Sequence, residues 1–222
     1  MTGACASNVI VIGTDTDCGK TWISSELIRL LRRQHKDCIA IKPIACGLDA
    51  QGKNDDLQRL LAIQTELTVD DINLYRFCLA AAPSLAAQAE QKNIDMQTLV
   101  QWCQMRPQQL RIIEGVGGLM VPVNESQTGL DWLKQMPDAK LILVVGSRLG
   151  CINHTLLSLT ALRCINREAD WIVLNDIQNS HQTMDIEGVI KPHLSKSTTC
   201  IHVGYDQNTS LNRIVNCLGN TE

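Results

Sequence analysis

The sequence predicts an α/β fold: a single domain with a mainly parallel sheet and helices on both faces. Short apolar runs rich in β-branched residues alternate with longer segments of helical periodicity, which is the pattern of β-α-β units. The strand-like runs are almost uninterruptedly apolar, as expected of strands that helices cover on both sides. A length of 222 residues with no repeat or linker favours one domain over residues 1–222.

Six segments have the composition of buried strands, and six have the periodicity of amphipathic helices. The first strand leads into a helix with apolar residues at spacings of three and four and charged residues on its far side. The predicted strands are 8–13, 38–43, 110–115, 140–146, 170–176 and 199–204. The predicted helices are 20–34, 55–64, 95–105, 128–136, 152–166 and 209–219. The least patterned parts of the chain are 46–54, 66–94 and 176–198.

The composition argues against several classes of partner and site. A net charge of -3, without a long run of either sign, argues against nucleic acid or an anionic membrane as a partner. No apolar segment is long enough to span a bilayer, and the first residues lack the basic region of a signal peptide. The ten cysteines include no C-x-x-C pair, so we expect reduced thiols in a cytoplasmic protein rather than a zinc site.

The sequence GTDTDCGKT, residues 13–21, has the features of a phosphate-binding loop. Its glycines let the backbone curl so that N–H groups face phosphate oxygens, and the following helix N-terminus favours negative charge. In such loops the lysine, here Lys20, reaches the β- and γ-phosphates, and the next hydroxyl, here Thr21, binds Mg²⁺. Five residues separate Gly13 from Gly19, where the standard pattern has four. The loop predicts ATP binding and a fold of the P-loop NTPase type.

Polar side chains follow other predicted strands at the edge where ligands bind in open α/β sheets. Lys42, held by the following Pro43, would be a second cation beside a triphosphate, although it could instead extend into solvent. Glu114 ends a central strand and precedes three glycines in four positions, which makes it a candidate Mg²⁺ ligand. Either Asp55 or Asp56 could complete the metal site or cap the helix that follows.

Two further positions bear on the kind of nucleotide site. Asn175 and Asp176 end another predicted strand, where their side chains could hydrogen-bond a base or form a turn. Position 15 is occupied by aspartate. ATPases that dimerise across their nucleotides carry a signature lysine at this position, so Asp15 argues against a ParA-like switch protein.

Between about residues 8 and 178 the chain resembles the dethiobiotin synthetase family. The resemblance rests on GTDTDCGKT, IKPIACG, EGVGG, VVGSRLGCINHTLL and LND, which occur in this order at suitable separations. It implies that ATP, CO₂ (or bicarbonate as its source) and 7,8-diaminononanoate give dethiobiotin, ADP and phosphate, with Mg²⁺ as cofactor. An amine becomes a carbamate, ATP converts it to a carbamic–phosphoric anhydride, and the second amine closes the ring. The resemblance also implies a homodimer with the active site at its interface.

The resemblance assigns roles to the residues at matching positions. Lys42 and Lys20 would supply positive charge during catalysis, and Thr16 would help to place the diamine and the carbamate. Segment 151–153 would receive the substrate's carboxylate tail from the neighbouring subunit, although Cys151 itself is expected to pack at the helix start. The Mg²⁺ ligands would be Thr21, Asp56 and Glu114. The ATP-binding residues would be Asp17, Cys18, Gly19, Lys20, Thr21, Trp22, Asp56, Glu114, Gly117, Asn175 and Asp176. The substrate-binding residues would be Thr16, Lys42, Cys46, Gly117, Cys151, Ile152 and Asn153.

The chain departs from the family at several substrate and base contacts. Cys46 stands where serine is usual, and Ser84 stands where histidine is common. A tyrosine expected near 184–187 is absent, and 204–206 differs from the usual adenine-side segment. Two alternatives therefore stay open: another ATP-dependent ligase or amidase of this P-loop group, or a ParA-like nucleotide switch protein.

Overall fold

A six-stranded parallel sheet forms the centre of the protein. The computed structural model describes residues 7–177 and 185–219. The strands of the central sheet are β1 (Ser7–Gly13), β2 (Cys38–Ile41), β5 (Leu110–Gly118), β6 (Lys140–Gly146), β7 (Trp171–Asn175) and β8 (Thr199–Val203). Their order is β2-β5-β1-β6-β7-β8, so the strand that precedes the phosphate loop lies inside the sheet. Two short parallel strands, β3 (Ile44–Cys46) and β4 (Tyr75–Phe77), form a second sheet.

Helices surround the central sheet. The α-helices of the described residues are α1 (Lys20–Arg33), α2 (Asp55–Leu61), α3 (Val69–Ile72), α4 (Pro83–Ala89), α5 (Met96–Gln104), α6 (Gly129–Lys134), α7 (Cys151–Arg163), α8 (Ile186–Ile190) and α9 (Asn212–Gly219). Helix α1 contacts α2 and α9, while α7 contacts α8. None of the helices in 7–177 and 185–219 is long and apolar enough to cross a membrane.

Both faces of the central sheet are covered. The last five residues of β1 are all buried, and so are the last six of β6. Because successive side chains of a strand point to opposite faces, uninterrupted burial requires packing on both sides. Helix α1 supplies part of it by burying Ile23, Leu27 and Leu31 along one stripe, each contributing about 1.5–3 kcal/mol. The predicted α/β fold is confirmed.

The second strand ends earlier than the sequence predicted. Strand β2 stops at Ile41, and the backbone N–H of Lys42 donates to Ile72 O at 2.8 Å instead of to a neighbouring strand. Pro43 has no N–H and cannot extend the ladder, so the chain turns there and enters β3. The predicted strand 38–43 was wrong in its last two residues, and Lys42 lies in the turn between β2 and β3.

The third predicted strand continues further than expected. Strand β5 runs to Gly118, so Glu114 lies within the strand, opposite Val11, rather than at its end. The pairing with β1 then shifts register, and Gly13 lies opposite Gly118. A Cβ at Gly118 would lie 3.2 Å from the carbonyl oxygen of Thr14, which explains why glycine suits this close approach.

The segment 66–94 contains elements that the sequence did not predict. They are α3, β4 and α4, of 4, 3 and 7 residues, and the first two are too short to show a periodic pattern. Local signals do mark them: Thr68 and Asp71 form a capping box, and Pro83 begins α4.

Helix α7 begins at Cys151, one residue before the predicted start.

Candidate active site

A cavity of about 670 Å³ opens where β1, β2 and β5 approach the phosphate loop. Residues far apart in the sequence meet there, because the carboxyl ends of parallel strands lie at one edge of the sheet. The predicted site residues that line the cavity are Thr16, Asp17, Gly19, Lys20, Thr21, Trp22, Lys42, Cys46, Asp56, Glu114 and Gly117. The other predicted site residues, which do not line it, are Cys18, Cys151, Ile152, Asn153, Asn175 and Asp176.

Two glycines determine the shape of the phosphate loop. Gly19 precedes α1 with φ of 92°, in the left-handed region that favours glycine, and a Cβ there would lie 2.2 Å from Asn175 Nδ2. A Cβ at Gly13 would lie 2.5 Å from the sulfur of Cys18. Side chains at these positions would therefore displace both the loop and its neighbours. The loop leaves the N-terminus of α1 directed at the cavity, a position suited to binding an anion.

Lys42 lies between two carboxylates at the floor of the cavity. Its Nζ is 2.5 Å from Asp56 Oδ2 and 2.6 Å from Glu114 Oε1. Lys42 and Glu114 are buried, with side chains 7% and 0% exposed, whereas Asp56 is 43% exposed. Burial alone would lower the pKa of Lys42, but the charges and hydrogen bonds of Glu114 and Asp56 raise it above its ordinary value. Lys42 is therefore a buried, charged ammonium group.

The contact with Lys42 also changes the pKa of Asp56. Burial alone would raise the pKa of Asp56, but the charge of Lys42 and its hydrogen bond hold the pKa below its ordinary value. Asp56 is one of the two candidates for the metal site, and it is the one that lines the cavity, while Asp55 does not. The helix cap that the sequence left open is supplied by neither residue, because Asn54 Oδ1 accepts the N–H of Leu57.

The oxygen atoms around Lys42 match the ligands that Mg²⁺ prefers. The Thr21 hydroxyl donates to Glu114 Oε1 at 2.6 Å, and Glu114 Oε2 is buried without a hydrogen-bond partner within the described residues. No cluster of three or more His, Cys, Asp or Glu side chains suited to a metal occurs in those residues. Two carboxylates and a hydroxyl fit Mg²⁺ shared with nucleotide phosphates better than a metal enclosed by protein ligands alone.

Lys20 is held by the loop to which it belongs. Its Nζ donates to the carbonyl oxygen of Asp15 at 2.9 Å. The Asp15 carboxylate accepts the N–H of Thr16 at 2.7 Å and pairs with Arg148 Nη2 at 2.6 Å. Asp15, whose position argued against a ParA-like protein, thus binds the phosphate loop to the segment before α7.

Asn175 and Asp176 lie behind the phosphate loop. Asn175 is buried, and its Nδ2 donates to the carbonyl oxygen of Cys18 at 3.0 Å. Its own carbonyl oxygen accepts the N–H of Ser147, while the N–H of Asp176 donates to Val203 O. One donor of the Asn175 amide therefore shapes the loop, and the predicted contacts of both residues with adenine stay predictions.

The start of α7 lies outside the cavity of its own chain. Cys151 is buried in the core, as expected for its side chain, while Ile152 is half-buried and Asn153 is exposed. Leu149, just before the helix, is 95% exposed. The prediction that 151–153 binds the carboxylate tail of a substrate held by a neighbouring subunit stays a prediction. The family's tyrosine was expected near 184–187, and residue 184 of that segment lies outside the described residues.

Sequence reasoning missed several residues of the cavity. Arg59 lines it from α2, three positions after Asp56 and therefore on the same helix face, a spacing that could have identified it. The segment 80–83 also contributes, but its sequence carries no periodic signal. Cys46 was predicted and is half-buried; burial raises the pKa of its thiol to about 11, although the charge of Lys42 opposes the shift. Cys46 is therefore a neutral thiol near neutral pH.

The chain is similar to proteins of known family and structure. Residues 7–200 match the protein family described as AAA domain. The chain is 44% identical over 154 residues to ATP-dependent dethiobiotin synthetase BioD of Legionella pneumophila subsp. pneumophila, covering 67% of this chain and 70% of that protein. It is 41% identical over 180 residues to the protein of that name from Marinobacter nauticus, covering 77% and 74%. A solved ParA family ATPase from Chlorobium tepidum is similar with a TM-score of 0.53, 14% identity, and coverage of 95% and 90%, which concerns the fold alone.

Proposed function

Because the chain belongs to the dethiobiotin synthetase family, we propose that its cavity is where ATP drives formation of a cyclic urea from a diamine and CO₂. The protein is an ATP-dependent cyclo-ligase of biotin biosynthesis, converting 7,8-diaminononanoate, CO₂ and ATP to dethiobiotin, ADP and phosphate. One observation carries the assignment of the site: the phosphate loop, Lys42 and Glu114 line a single cavity. An anionic carbamate can meet an anionic γ-phosphate only where cations surround both.

The phosphate loop and Lys20 bind the triphosphate. Backbone N–H groups from Asp17 to Trp22 surround the phosphates, and the N-terminus of α1 adds its dipole. Lys20 exchanges its hydrogen bond with the Asp15 carbonyl for one with the β- and γ-phosphates. Cys18 contributes through its backbone, since its side chain is buried behind the loop.

Lys42 places the carbamate oxygen against the γ-phosphate. Its charge is maintained by two carboxylates, so the ammonium is present across neutral pH without needing the substrate. Thr16, Cys46 and Gly117 line the same cavity and contact the diamine. No protein nucleophile is required: the carbamate oxygen attacks phosphorus, and the second amine then displaces phosphate from the carbonyl carbon.

Thr21, Asp56 and Glu114 would hold Mg²⁺. Mg²⁺ bound there would neutralise negative charge on the nucleotide's phosphates, which is its usual part in phosphoryl transfer. Glu114 Oε2, which has no partner among the described residues, supports this proposal, because a buried carboxylate oxygen of that kind is costly unless it has a ligand. The hydroxyl of Thr21 already lies against the other oxygen of that carboxylate.

The remaining contacts belong to the base, the substrate tail and the second subunit. Adenine binds beside Asn175 and Asp176, at the carboxyl end of β7. The segment 151–153 receives the carboxylate tail of a substrate held by the partner, in a homodimer with the active site at the interface. The position of that segment outside its own cavity, next to the exposed Leu149, supports this arrangement. We place the reaction in the cytoplasm, where ATP is supplied and thiols stay reduced.

The decisive experiment is a product assay. The purified protein is incubated with ATP, MgCl₂, ¹³C-bicarbonate and 7,8-diaminononanoate, and the mixture is analysed by mass spectrometry. We expect dethiobiotin carrying one ¹³C atom and an equal amount of ADP, and neither without the diamine. ATP turnover that needs a different amine or carboxylate would instead identify another ligase of this group, which the departures at Cys46 and Ser84 make the relevant alternative.

A further inference from the structure

Arg59 brings to the cavity a positive charge that the sequence motifs do not explain. It lies on α2, three residues after Asp56, and lines the cavity together with Lys20 and Lys42. Residues three apart on a helix share a face, so Arg59 and Asp56 project towards the same region. Since Asp56 lies 2.5 Å from Lys42 Nζ, this region is the reacting end of the cavity.

Arg59 differs from the other two cations in how its charge is held. Lys42 is bound by two carboxylates, and Lys20 is bound by a carbonyl oxygen. Within residues 7–177 and 185–219, Arg59 makes neither an ion pair nor a side-chain hydrogen bond. It does not pair with Asp55, although a spacing of four on a helix favours such a pair. Its guanidinium is therefore available to a ligand without the loss of a bond to these residues.

The charges of the cavity make such a ligand an anion. The lining contains three cations, Lys20, Lys42 and Arg59, against three carboxylates, those of Asp17, Asp56 and Glu114. Both carboxylates at the floor contact Lys42, whereas Lys20 and Arg59 form no ion pair with a carboxylate of the described residues. A triphosphate and a carbamate are both anionic, and the cavity must offset their mutual repulsion.

We propose that Arg59 binds the γ-phosphoryl group of ATP and stays bound to it during transfer, an inference that rests on the proposed function of the cavity. As the bond from phosphorus to the ADP oxygen breaks, that oxygen keeps the electron pair, and the carbamate oxygen forms the new bond. The planar guanidinium can donate two parallel hydrogen bonds to phosphoryl oxygens in both states. The substrate's carboxylate is a poorer candidate, because it lies at the opposite end of the carbon chain from the reacting amines.

The test compares ATP with ADP, which differ by the group that Arg59 is proposed to hold. Binding of each nucleotide with Mg²⁺ to wild type, Arg59→Met and Arg59→Lys is measured by calorimetry without diamine. We expect Arg59→Met to weaken ATP binding by about tenfold or more and to change ADP binding less than about twofold. Arg59→Lys should recover part of the loss, since lysine keeps the charge but not the paired donors. Arg33→Met, which removes an exposed arginine at the end of α1, is the matched control.

Other results would overturn the proposal. Equal losses for ATP and ADP would assign Arg59 to general attraction of phosphates, and unchanged affinities would leave it a surface residue. A raised KM for the diamine with unchanged ATP binding would assign it to the substrate. The calorimetry needs no turnover, so a wild-type protein that makes no cyclic urea would refute the proposed function and leave this measurement interpretable.

Discussion

The two sides of the nucleotide site differ in what their polar side chains contact. On the phosphate side, comprising residues 13–21, Lys42, Asp56 and Glu114, charged groups contact one another and face one cavity. On the base-and-tail side, comprising 151–153 and 175–176, Asn175 contacts loop backbone, Cys151 packs in the core, and neither lines that cavity. The phosphate side is thus held together by its own charges, whereas the contacts proposed for the other side involve a nucleotide or a second subunit.

The largest effects are expected from removing the two lysines of the phosphate side. Lys42→Ala should reduce turnover by at least ~10²-fold and leave ATP binding largely intact, since its charge is proposed to act on the reacting carbamate. Lys20→Ala should weaken ATP binding as well as turnover. Steady-state kinetics and nucleotide calorimetry on both variants separate the two roles.

The ion pairs of Lys42 make one control necessary for these two variants. Removing the Lys42 ammonium leaves Asp56 and Glu114 without their cation, which typically destabilises a protein by about 3–5 kcal/mol. Urea unfolding must therefore establish that Lys42→Ala is folded under assay conditions. Normal turnover of diaminononanoate by a folded Lys42→Ala would refute the catalytic role of this lysine.

A smaller effect is expected on the base-and-tail side, from Asn175→Leu. Loss of the hydrogen bond to Cys18 O releases the phosphate loop, so ATP and ADP affinities should both fall by about tenfold. GTP, measured in the same way, separates the two proposed roles of this side chain. A lower preference for ATP over GTP would reveal the adenine contact, whereas a parallel fall would assign the whole effect to the loop. Unchanged affinities would contradict both roles.

The stability of the phosphate side should depend on acid pH through Asp56. Its pKa in the folded protein lies below the ordinary value of 3.8, so Asp56 stabilises the fold above that pH and loses this effect as the pH falls through the folded pKa. Asp56→Asn should lower the free energy of unfolding by about 1–2 kcal/mol at neutral pH, between typical surface and buried pairs. Urea unfolding from pH 2.5 to 7 without Mg²⁺ should show the difference between wild type and variant shrinking below pH ~4. A difference that does not depend on pH would show that the negative charge of Asp56 does not cause it.

The smallest effect is expected from Arg148→Met, at the boundary between the two sides. The pair of Arg148 with Asp15 is partly exposed, at 33% and 44%, and exposed pairs contribute about 0–1 kcal/mol. Asp15 still accepts the N–H of Thr16 without it, so turnover should fall less than about fivefold. Kinetics with ATP and diamine varied separately measure this change. A hundredfold loss would show that the two sides depend on each other far more than the contacts indicate.

Much of the site could be predicted because its residues stand at the ends of long apolar runs. The sequence alone predicted that the phosphate loop, Lys42 and Glu114 belong to one site, since strand composition indicates where the edge of a parallel sheet lies. Arg59 was missed because it belongs to no motif, and segment 80–83 was missed because its neighbouring elements are short. The position of Asn175 behind the loop could not be predicted, because strand-end position does not determine which way an amide points.

By itself, the sequence determined the α/β fold, the phosphate loop and the family to which the chain belongs. These depend on local order: apolar periodicity, glycine spacing and residues adjacent along the chain. Only the tertiary structure decided that Lys42 lies between Asp56 and Glu114, that Asn175 holds Cys18, and that Arg59 faces the cavity without a partner among the described residues. The first two of these arrangements join residues 14, 72 and 157 positions apart, and their geometry follows from packing of the whole chain.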